Sequence, residues 1–147
     1  MKIYLDVDET ILANNKQKAN YADEFIKFLV ENHDCYWLST NVKGNTDFII
    51  HRLEEFFDSK TMKYVEKIKP TNWQTWKTEA IDFSKDFLWF DDYLFEEEVK
   101  VLKEKNKLDS WIKIDLSKNP DQLEDLIIEL TKRNQKAHNG SKNLPFI

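Results

Sequence analysis

The order of apolar segments predicts an α/β fold, in which a mostly parallel sheet of about five strands lies between helices on both faces. Short apolar runs, typical of buried strands, alternate with longer segments whose apolar residues recur every three or four positions, the period of an amphipathic helix. Strands separated by helices in this way run parallel, because each crossover returns the chain to the same end of the sheet. This architecture is a Rossmann-like three-layer sandwich, and 147 residues fit one such domain.

Four segments are predicted to be strands, and a further segment is ambiguous. The four are residues 2–6, 35–38, 87–90 and 111–114. Residues 61–70 fit either a short strand or a helical turn, and Pro70 would end either of them.

Helices are predicted between these strands and after the last one. The expected ranges are residues 20–33, 45–57, 73–83 and 94–106. Asn20 is a candidate cap for the first helix. The run Asn119-Pro120-Asp121-Gln122 begins the last helix, since it combines a capping side chain, a first-turn proline and a glutamine at the third helical position. Residues 136–147 show no period and are expected to be a mobile tail, which leaves residues 1–135 as the domain.

Composition excludes several classes of partner. A net charge of −5 and a pI near 5.3 argue against a nucleic-acid backbone as ligand, and no strong nucleic-acid signal appears elsewhere. No apolar run is long enough to span a bilayer, and no secretion signal follows Met1. The single cysteine, Cys35, lies in an apolar run and is expected to be a buried structural thiol, so we expect a cytoplasmic protein.

Two of the predicted strands end in acidic residues. Ile3-Tyr4-Leu5 runs into Asp6-Val7-Asp8-Glu9-Thr10, and the apolar residues 87–90 run into an Asp-Asp pair. The carboxyl ends of parallel strands meet at one edge of a sheet, so these acids are expected to lie close together. At about 4 Å and an effective dielectric near 20, each pair of charges would repel by roughly 4 kcal/mol. A divalent cation relieves that repulsion, and the predicted Mg²⁺ ligands are Asp6, Asp8, Asp91 and Asp92.

The same residues suit phosphoryl transfer. A carboxylate can attack phosphorus and divide one difficult displacement into two easier ones, provided that a second group protonates the leaving oxygen. Asp6 and Asp8 suit these two roles. Thr40 follows the second strand and offers a hydroxyl, while Lys77 offers a cation for the phosphate. No His/Cys grouping with zinc-ligand spacing is present.

This ordered set resembles the haloacid dehalogenase superfamily. Its phosphatases carry Asp-x-Asp-x-Thr, then a strand ending in Thr or Ser, then a lysine, then an apolar strand ending in paired acids. The matching residues here are Asp6-Val7-Asp8-Glu9-Thr10, Leu38-Ser39-Thr40-Asn41, Lys77 and Phe90-Asp91-Asp92. The resemblance implies a Mg²⁺-dependent phosphoric monoester hydrolase, with Asp6 as the nucleophile that forms an aspartyl phosphate and Asp8 as the general acid/base.

The resemblance also implies the binding roles. Thr40, with Asn41 beside it, and Lys77 would bind the phosphoryl group. Mg²⁺ would be held by Asp6, the main-chain carbonyl of Asp8, and Asp91 or Asp92. Ser39 remains an alternative to Thr40, and three other lysines compete with Lys77: Lys67, Lys69 and Lys85. The dehalogenases that named the superfamily typically lack a carboxylate at the position of Asp8, so its presence favours phosphoryl transfer.

The spacing leaves no room for a large cap domain. Only 29 residues separate Thr10 from Thr40, and 36 separate Thr40 from Lys77. Capless members have open sites, so the expected partner is a phosphorylated substrate that can be macromolecular. The polar loop 14–18 is either a cover for the pocket or a solvated connector. Three aromatic residues either flank the pocket mouth or pack in the core: Trp73, Trp76 and Tyr93.

Two rival functions share the α/β class. One is a phosphoacceptor signalling domain similar to response-regulator receivers, and the other is a phosphate-binding domain without catalysis. Receivers place an acidic pair after the first strand and the phosphorylated aspartate after a later one. The order here, with Asp-x-Asp first and the acidic doublet late, disfavours a receiver.

Overall fold

The structure, a computed structural model, describes residues 1–14 and 16–142 of the chain. In chain order the strands are β1 (Lys2–Leu5), β2 (Leu12–Ala13), β3 (Gln17–Lys18), β4 (Asp34–Trp37), β5 (Phe87–Asp91) and β6 (Trp111–Lys113). The helices are α1 (Ala22–Asn32), α2 (Asp47–Leu53), α3 (Ser59–Val65), α4 (Glu96–Glu104) and α5 (Gln122–Lys142), and short 3₁₀ turns cover Lys77–Ala80 and Leu108–Ser110.

The main sheet is parallel throughout and has the order β4-β1-β5-β6. The central strand β1 pairs with β4 and β5 in level register, so that Leu5 lies opposite both Trp37 and Phe90. The predicted α/β fold is therefore confirmed, although the sheet has four strands rather than about five. The level register places the carboxyl ends of β1 and β5 side by side.

The ambiguous segment 61–70 explains the difference in strand number. Its first half, residues 61–65, belongs to helix α3, and what remains of a fifth strand is one residue, Lys69. The Trp37 amide donates to the Lys69 carbonyl at 2.8 Å, and the Lys69 amide donates to the Cys35 carbonyl at 3.0 Å. The pairing goes no further, because the next acceptor of β4, the Trp37 carbonyl, binds the Thr71 hydroxyl at 2.6 Å instead of a backbone amide.

Helices cover both faces of the sheet. On one face, Ile3 and Leu5 of β1 join a core with the buried sides of α1, α2, α3 and α5. On the other face, Tyr4 of β1 and Trp89 of β5 join a second core with α4 and the turn before β5. All five residues of β5 are buried, which explains why this strand is a continuous apolar run in the sequence. The predicted three-layer sandwich is confirmed.

The helix predicted over 73–83 is wrong. Its only regular structure is the 3₁₀ turn Lys77–Ala80, because the preceding amides bind a side chain instead of helix carbonyls. The Glu79 carboxylate accepts the amides of Trp76 at 2.6 Å and Thr75 at 3.1 Å. Upstream, the Thr71 hydroxyl donates to the Trp37 carbonyl at 2.6 Å and fixes this segment to the end of β4.

Two predicted helix ends also change. Asn20 does not cap α1; its side-chain amide donates to the Asp121 carboxylate at 2.9 Å, which ties the start of α1 to the start of α5. Helix α5 begins at Gln122, at the run that predicts a helix start. It continues to Lys142, so residues 136–142 are helical where a tail was expected. The rest of the predicted tail, residues 143–147, lies outside the described residues.

Two further expectations concern Cys35 and the spacing. The Cys35 thiol is buried, and desolvation raises its pKa to about 12, as expected for a structural cysteine.

None of the described helices is long and apolar enough to cross a membrane. Between β1 and β4 the described chain forms only the β2–β3 hairpin and α1, and between β4 and Lys77 only α2 and α3, so no large cap domain is present there.

Candidate active site

The carboxylates of Asp6 and Asp91 lie next to each other at the carboxyl edge of the sheet. Asp6 follows β1, Asp91 is the last residue of β5, and both are almost fully buried. The Asp6 amide donates to the Phe90 carbonyl at 3.0 Å, which continues the strand pairing to this point. Asp92 joins them, and one carboxylate oxygen from each of the three residues lies within 4.8 Å of the others. The expectation that distant acids meet here agrees with this geometry.

Lys77 is the cation of this cluster. Its ammonium lies 2.7 Å from Asp91 Oδ2 and 3.4 Å from Asp6 Oδ1, and its side chain is only 14% exposed. The three competing lysines lie elsewhere: Lys69 pairs with Asp34 at 2.8 Å, Lys67 lies over the Tyr64 ring, and Lys85 is exposed outside the pocket lining. Of the four candidate lysines, Lys77 is thus the one that lines the pocket, and its role in binding phosphate stays a prediction.

Burial and mutual repulsion dominate the electrostatics of the cluster. Burial, followed by the negative charge of Asp91, raises the pKa of Asp6 well above its usual range. Burial and the contact with Asp91 also raise the pKa of Asp92. Burial alone would lower the pKa of Lys77, but the surrounding carboxylates outweigh it and the pKa is raised. Three carboxylates and one ammonium leave an excess of negative charge, which a divalent cation would neutralise.

Asp8 lies apart from the three clustered carboxylates. Its Oδ1 accepts a hydrogen bond from the Arg52 guanidinium at 2.6 Å, and its Oδ2 accepts one from the Asn41 side-chain amide at 3.2 Å. The carboxylate still lines the same pocket as Asp6. The carboxylates that could share a metal ion are therefore those of Asp6, Asp91 and Asp92, without the predicted side chain of Asp8. A role for the main-chain carbonyl of Asp8 stays a prediction.

The two hydroxyl candidates after β4 differ sharply in exposure. Ser39 is fully buried, and its Oγ accepts the Asn41 amide at 3.2 Å. Thr40 is exposed and lines the pocket. Thr40 is therefore the hydroxyl that a ligand in the pocket can reach, whereas Asn41 connects to the site through Asp8.

A tight turn after β1 sets the direction of the first motif. The Val7 carbonyl accepts the amides of Ile11 at 3.0 Å and Leu12 at 3.1 Å, and Glu9 adopts a left-handed conformation with φ of 58°. The β2–β3 hairpin follows, at the position of the predicted polar loop 14–18. No described residue of this hairpin lines the pocket, so the solvated connector is the interpretation that the structure favours.

The pocket has a volume of about 430 Å³ and is open at its mouth. Its lining includes two residues that the sequence did not single out, Lys43 and Glu98. Glu98 is a buried residue of α4 whose carboxylate accepts the Lys77 amide at 3.0 Å and the Phe95 amide at 3.1 Å. The available sequence signal was the acid three residues after Phe95, the spacing of a helix capping box.

The three predicted aromatic candidates divide between core and mouth. Trp73 is buried, and the Lys43 ammonium lies 4.0 Å from the centre of its ring. Trp76 is partly exposed, and Tyr93 is 61% exposed in the pocket lining. Trp73 thus packs in the second core and also lines the pocket, while Tyr93 lies at the mouth.

The fold and these contacts define an α/β protein with an acidic, lysine-containing pocket at the carboxyl edge of its parallel sheet. No family model matches the chain, and no curated protein or solved structure is significantly similar to it. What the pocket does must be argued from its geometry and from the motifs in the sequence.

Proposed function

We propose that the protein is a Mg²⁺-dependent phosphatase that hydrolyses phosphate monoesters through an aspartyl phosphate on Asp6, with Asp8 as general acid/base. One observation supports this most: Asp6 and Asp91 lie at neighbouring strand ends and share Lys77 at the floor of an open pocket. A pocket in which several acids surround a buried lysine is costly to maintain, and such sites are often functional. The order of the motifs along the chain agrees with this function.

The three clustered carboxylates fit Mg²⁺. Oxygen ligands are what this ion prefers, and Asp6, Asp91 and Asp92 each offer one within a 4.8 Å group. When bound there, Mg²⁺ would offset the charge of the phosphate and so let an anion approach an acidic pocket.

The residues of the chain supply the chemical steps. An Asp6 carboxylate oxygen attacks phosphorus, an O–P bond forms, and the ester O–P bond breaks. The departing ester oxygen takes a proton from Asp8. Asp8, now a carboxylate, accepts a proton from the water that attacks the aspartyl phosphate, which releases inorganic phosphate and restores Asp6. Lys77 neutralises the phosphoryl oxygens, and the exposed Thr40 hydroxyl orients them.

Arg52 and Asn41 position the acid/base. Their contacts occupy both oxygens of the Asp8 carboxylate and hold it towards α2 and the loop after β4. A side chain held in this way keeps one orientation between its proton donation and its proton acceptance. Each carboxylate oxygen has a second lone pair, so Asp8 can exchange its proton there while both contacts remain.

The test compares Asp6→Asn and Asp8→Asn with the unchanged protein, using para-nitrophenyl phosphate and Mg²⁺. Asp6→Asn is expected to abolish turnover, and Asp8→Asn to lower kcat by about 10²–10⁴. Asp109→Asn, an exposed acid outside the pocket, is the control and should keep the full rate. Circular dichroism checks that each variant folds.

Full activity of Asp6→Asn would refute the nucleophile. Retention of one equivalent of phosphate without repeated release would instead identify a phosphoacceptor domain.

A further inference from the structure

Two exposed aromatic rings at the pocket mouth, with a partly exposed ring beside Phe95, form a group that we call the aromatic rim: Tyr93, Phe95 and Trp76. Tyr93 is 61% exposed and Phe95 is 51% exposed, and both line the pocket. Their ring centres lie 5.1 Å apart in an edge-to-face arrangement, and the Trp76 ring lies 5.6 Å from Phe95. A single exposed aromatic residue is ordinary, but adjacent ones around a polar pocket mark a binding surface.

The aromatic rim is fixed to the floor of the pocket by hydrogen bonds. The Tyr93 amide donates to the Asp91 carboxylate at 3.2 Å, and Asp91 also holds Lys77. The Phe95 amide donates to Glu98, whose other oxygen accepts the Lys77 amide. These bonds fix the backbone that carries the rings relative to Lys77, which favours a preformed subsite.

We propose that the aromatic rim stacks the base of a nucleoside monophosphate whose phosphate lies against Asp6. This inference rests on the proposed function. Aromatic side chains stack on the flat face of any nucleic-acid base, and this stacking does not depend on base-specific hydrogen bonds. The aromatic rim would then enclose one side of the substrate, as a cap domain does in some members of the superfamily that the sequence resembles.

The difference in exposure between the floor and the mouth of the pocket favours a ligand with a spacer between its phosphate and its ring. Asp6 and Asp91 are only 6% and 1% exposed, whereas Tyr93 is more than half exposed. In an aryl phosphate the ring is bonded directly to the ester oxygen and would lie near the floor. In a nucleotide, the ribose separates the two groups. A pocket of about 430 Å³ also lies within the range of sites that take small organic ligands.

The charge of the lining restricts the number of phosphates. Two lysines, Lys43 and Lys77, share the pocket with six acidic residues: Asp6, Asp8, Glu9, Asp91, Asp92 and Glu98. A single phosphate can be balanced by Lys77 and a divalent cation, but further phosphates would face carboxylates. A monophosphate therefore fits better than an oligonucleotide end, in agreement with the net charge of −5.

The test uses the full chain with Asp6→Asn and Mg²⁺, so that bound ligand is not turned over. Calorimetric titrations compare AMP with ribose 5-phosphate, two ligands that differ only in the base. We expect AMP to bind about tenfold more tightly, an effect typical of one stacked base. Tyr93→Ala in the same background should bring the affinity ratio close to one, and Tyr93→Phe, which keeps the ring, should preserve it. Phe48→Ala, which removes a 60% exposed ring outside the pocket lining, should leave the ratio unchanged.

Equal affinities for AMP and ribose 5-phosphate, or binding of neither, would overturn the inference. A phosphotyrosyl peptide that binds more tightly than AMP would overturn it too, by assigning the rim to a protein substrate. Hydrolysis by the unchanged protein separates the two proposals. Equal turnover of both sugar phosphates refutes the base subsite and keeps the phosphatase, whereas tight AMP binding with no hydrolysis of any monoester refutes the phosphatase and keeps the subsite.

Discussion

Glu98 connects Lys77 to the pocket mouth through two backbone hydrogen bonds. Burying a carboxylate is costly unless it is well hydrogen-bonded, and Glu98 is 2% exposed. One of its oxygens accepts the amide of Lys77, the first residue of the 3₁₀ turn. The other accepts the amide of Phe95, the residue before α4. Glu98 is therefore a positioning residue for Lys77.

Glu98→Gln is expected to destabilise the protein by about 1–3 kcal/mol, because the amide keeps only one acceptor oxygen and leaves one backbone donor unpaired. The activity on para-nitrophenyl phosphate should fall as well, since Lys77 loses its support. Urea denaturation measures the stability, and Glu97→Gln, an exposed acid in the same helical turn, is the control. Equal free energies of unfolding for the two variants would show that Glu98 has no such role.

Site residues at the ends of strands were predictable from the sequence, and a site residue on the surface of a helix was not. Asp6 and Asp91 each follow an apolar run, and parallel strands bring such ends together. Arg52 contacts Asp8 across 44 positions of the chain. Nothing in the helical period of α2 shows which of its polar side chains faces the sheet edge, because the period identifies only the buried side.

The loop between β4 and α2 carries Thr40 and Lys43 to the pocket, and Gly44 sets its path. The Gly44 amide donates to the Thr71 carbonyl at 2.8 Å, and its φ of 92° lies in the region that glycine tolerates best. A Cβ at this position would meet only Asn72 atoms at 4.0 Å, so there is space for a side chain. The backbone conformation, and not a lack of space, is what favours glycine here.

Gly44→Ala is therefore expected to cost about 1–2 kcal/mol, the strain of a left-handed conformation for a residue with a Cβ. Gly44→Asn should cost less, because asparagine enters this region more readily. Thermal or urea denaturation of the two variants gives the comparison. An alanine variant as stable as the unchanged protein would mean that the loop can take another path.

At the level of elements, strands and long helices were predicted better than short ones. The first four residues of β5 are all apolar, and α1 carries a long apolar stripe, so each segment has one plausible assignment. Helix α3 has only seven residues, a length at which apolar period cannot separate helix from strand. The helix predicted over residues 73–83 is wrong for a different reason, because the Glu79 carboxylate accepts backbone amides that a helix would have bonded to its own carbonyls.

The whole molecule should be stabilised by Mg²⁺ if the three carboxylates bind it. A ligand that binds only the folded state stabilises it by about 2.7 kcal/mol at 100 times its Kd. The melting temperature is therefore expected to rise with Mg²⁺ and to fall back on addition of EDTA. Asp91→Asn and Asp92→Asn should each weaken the rise, while the exposed control Asp109→Asn should keep it.

If neither Mg²⁺ nor EDTA changes the melting temperature, the proposal that the cluster binds a metal ion is refuted. This measurement needs no substrate, so it tests the cluster separately from catalysis.

The one-residue pairing of Lys69 with β4 has a consequence for the behaviour of the chain at high concentration. An open outer strand offers unsatisfied amides and carbonyls to any other extended chain, and so invites aggregation. Here Lys69 takes up that bonding capacity beside Tyr36, and the Thr71 hydroxyl occupies the next acceptor, the Trp37 carbonyl. The opposite border of the sheet, β6, is only three residues long. Both borders thus discourage the edge-to-edge stacking through which parallel sheets become insoluble.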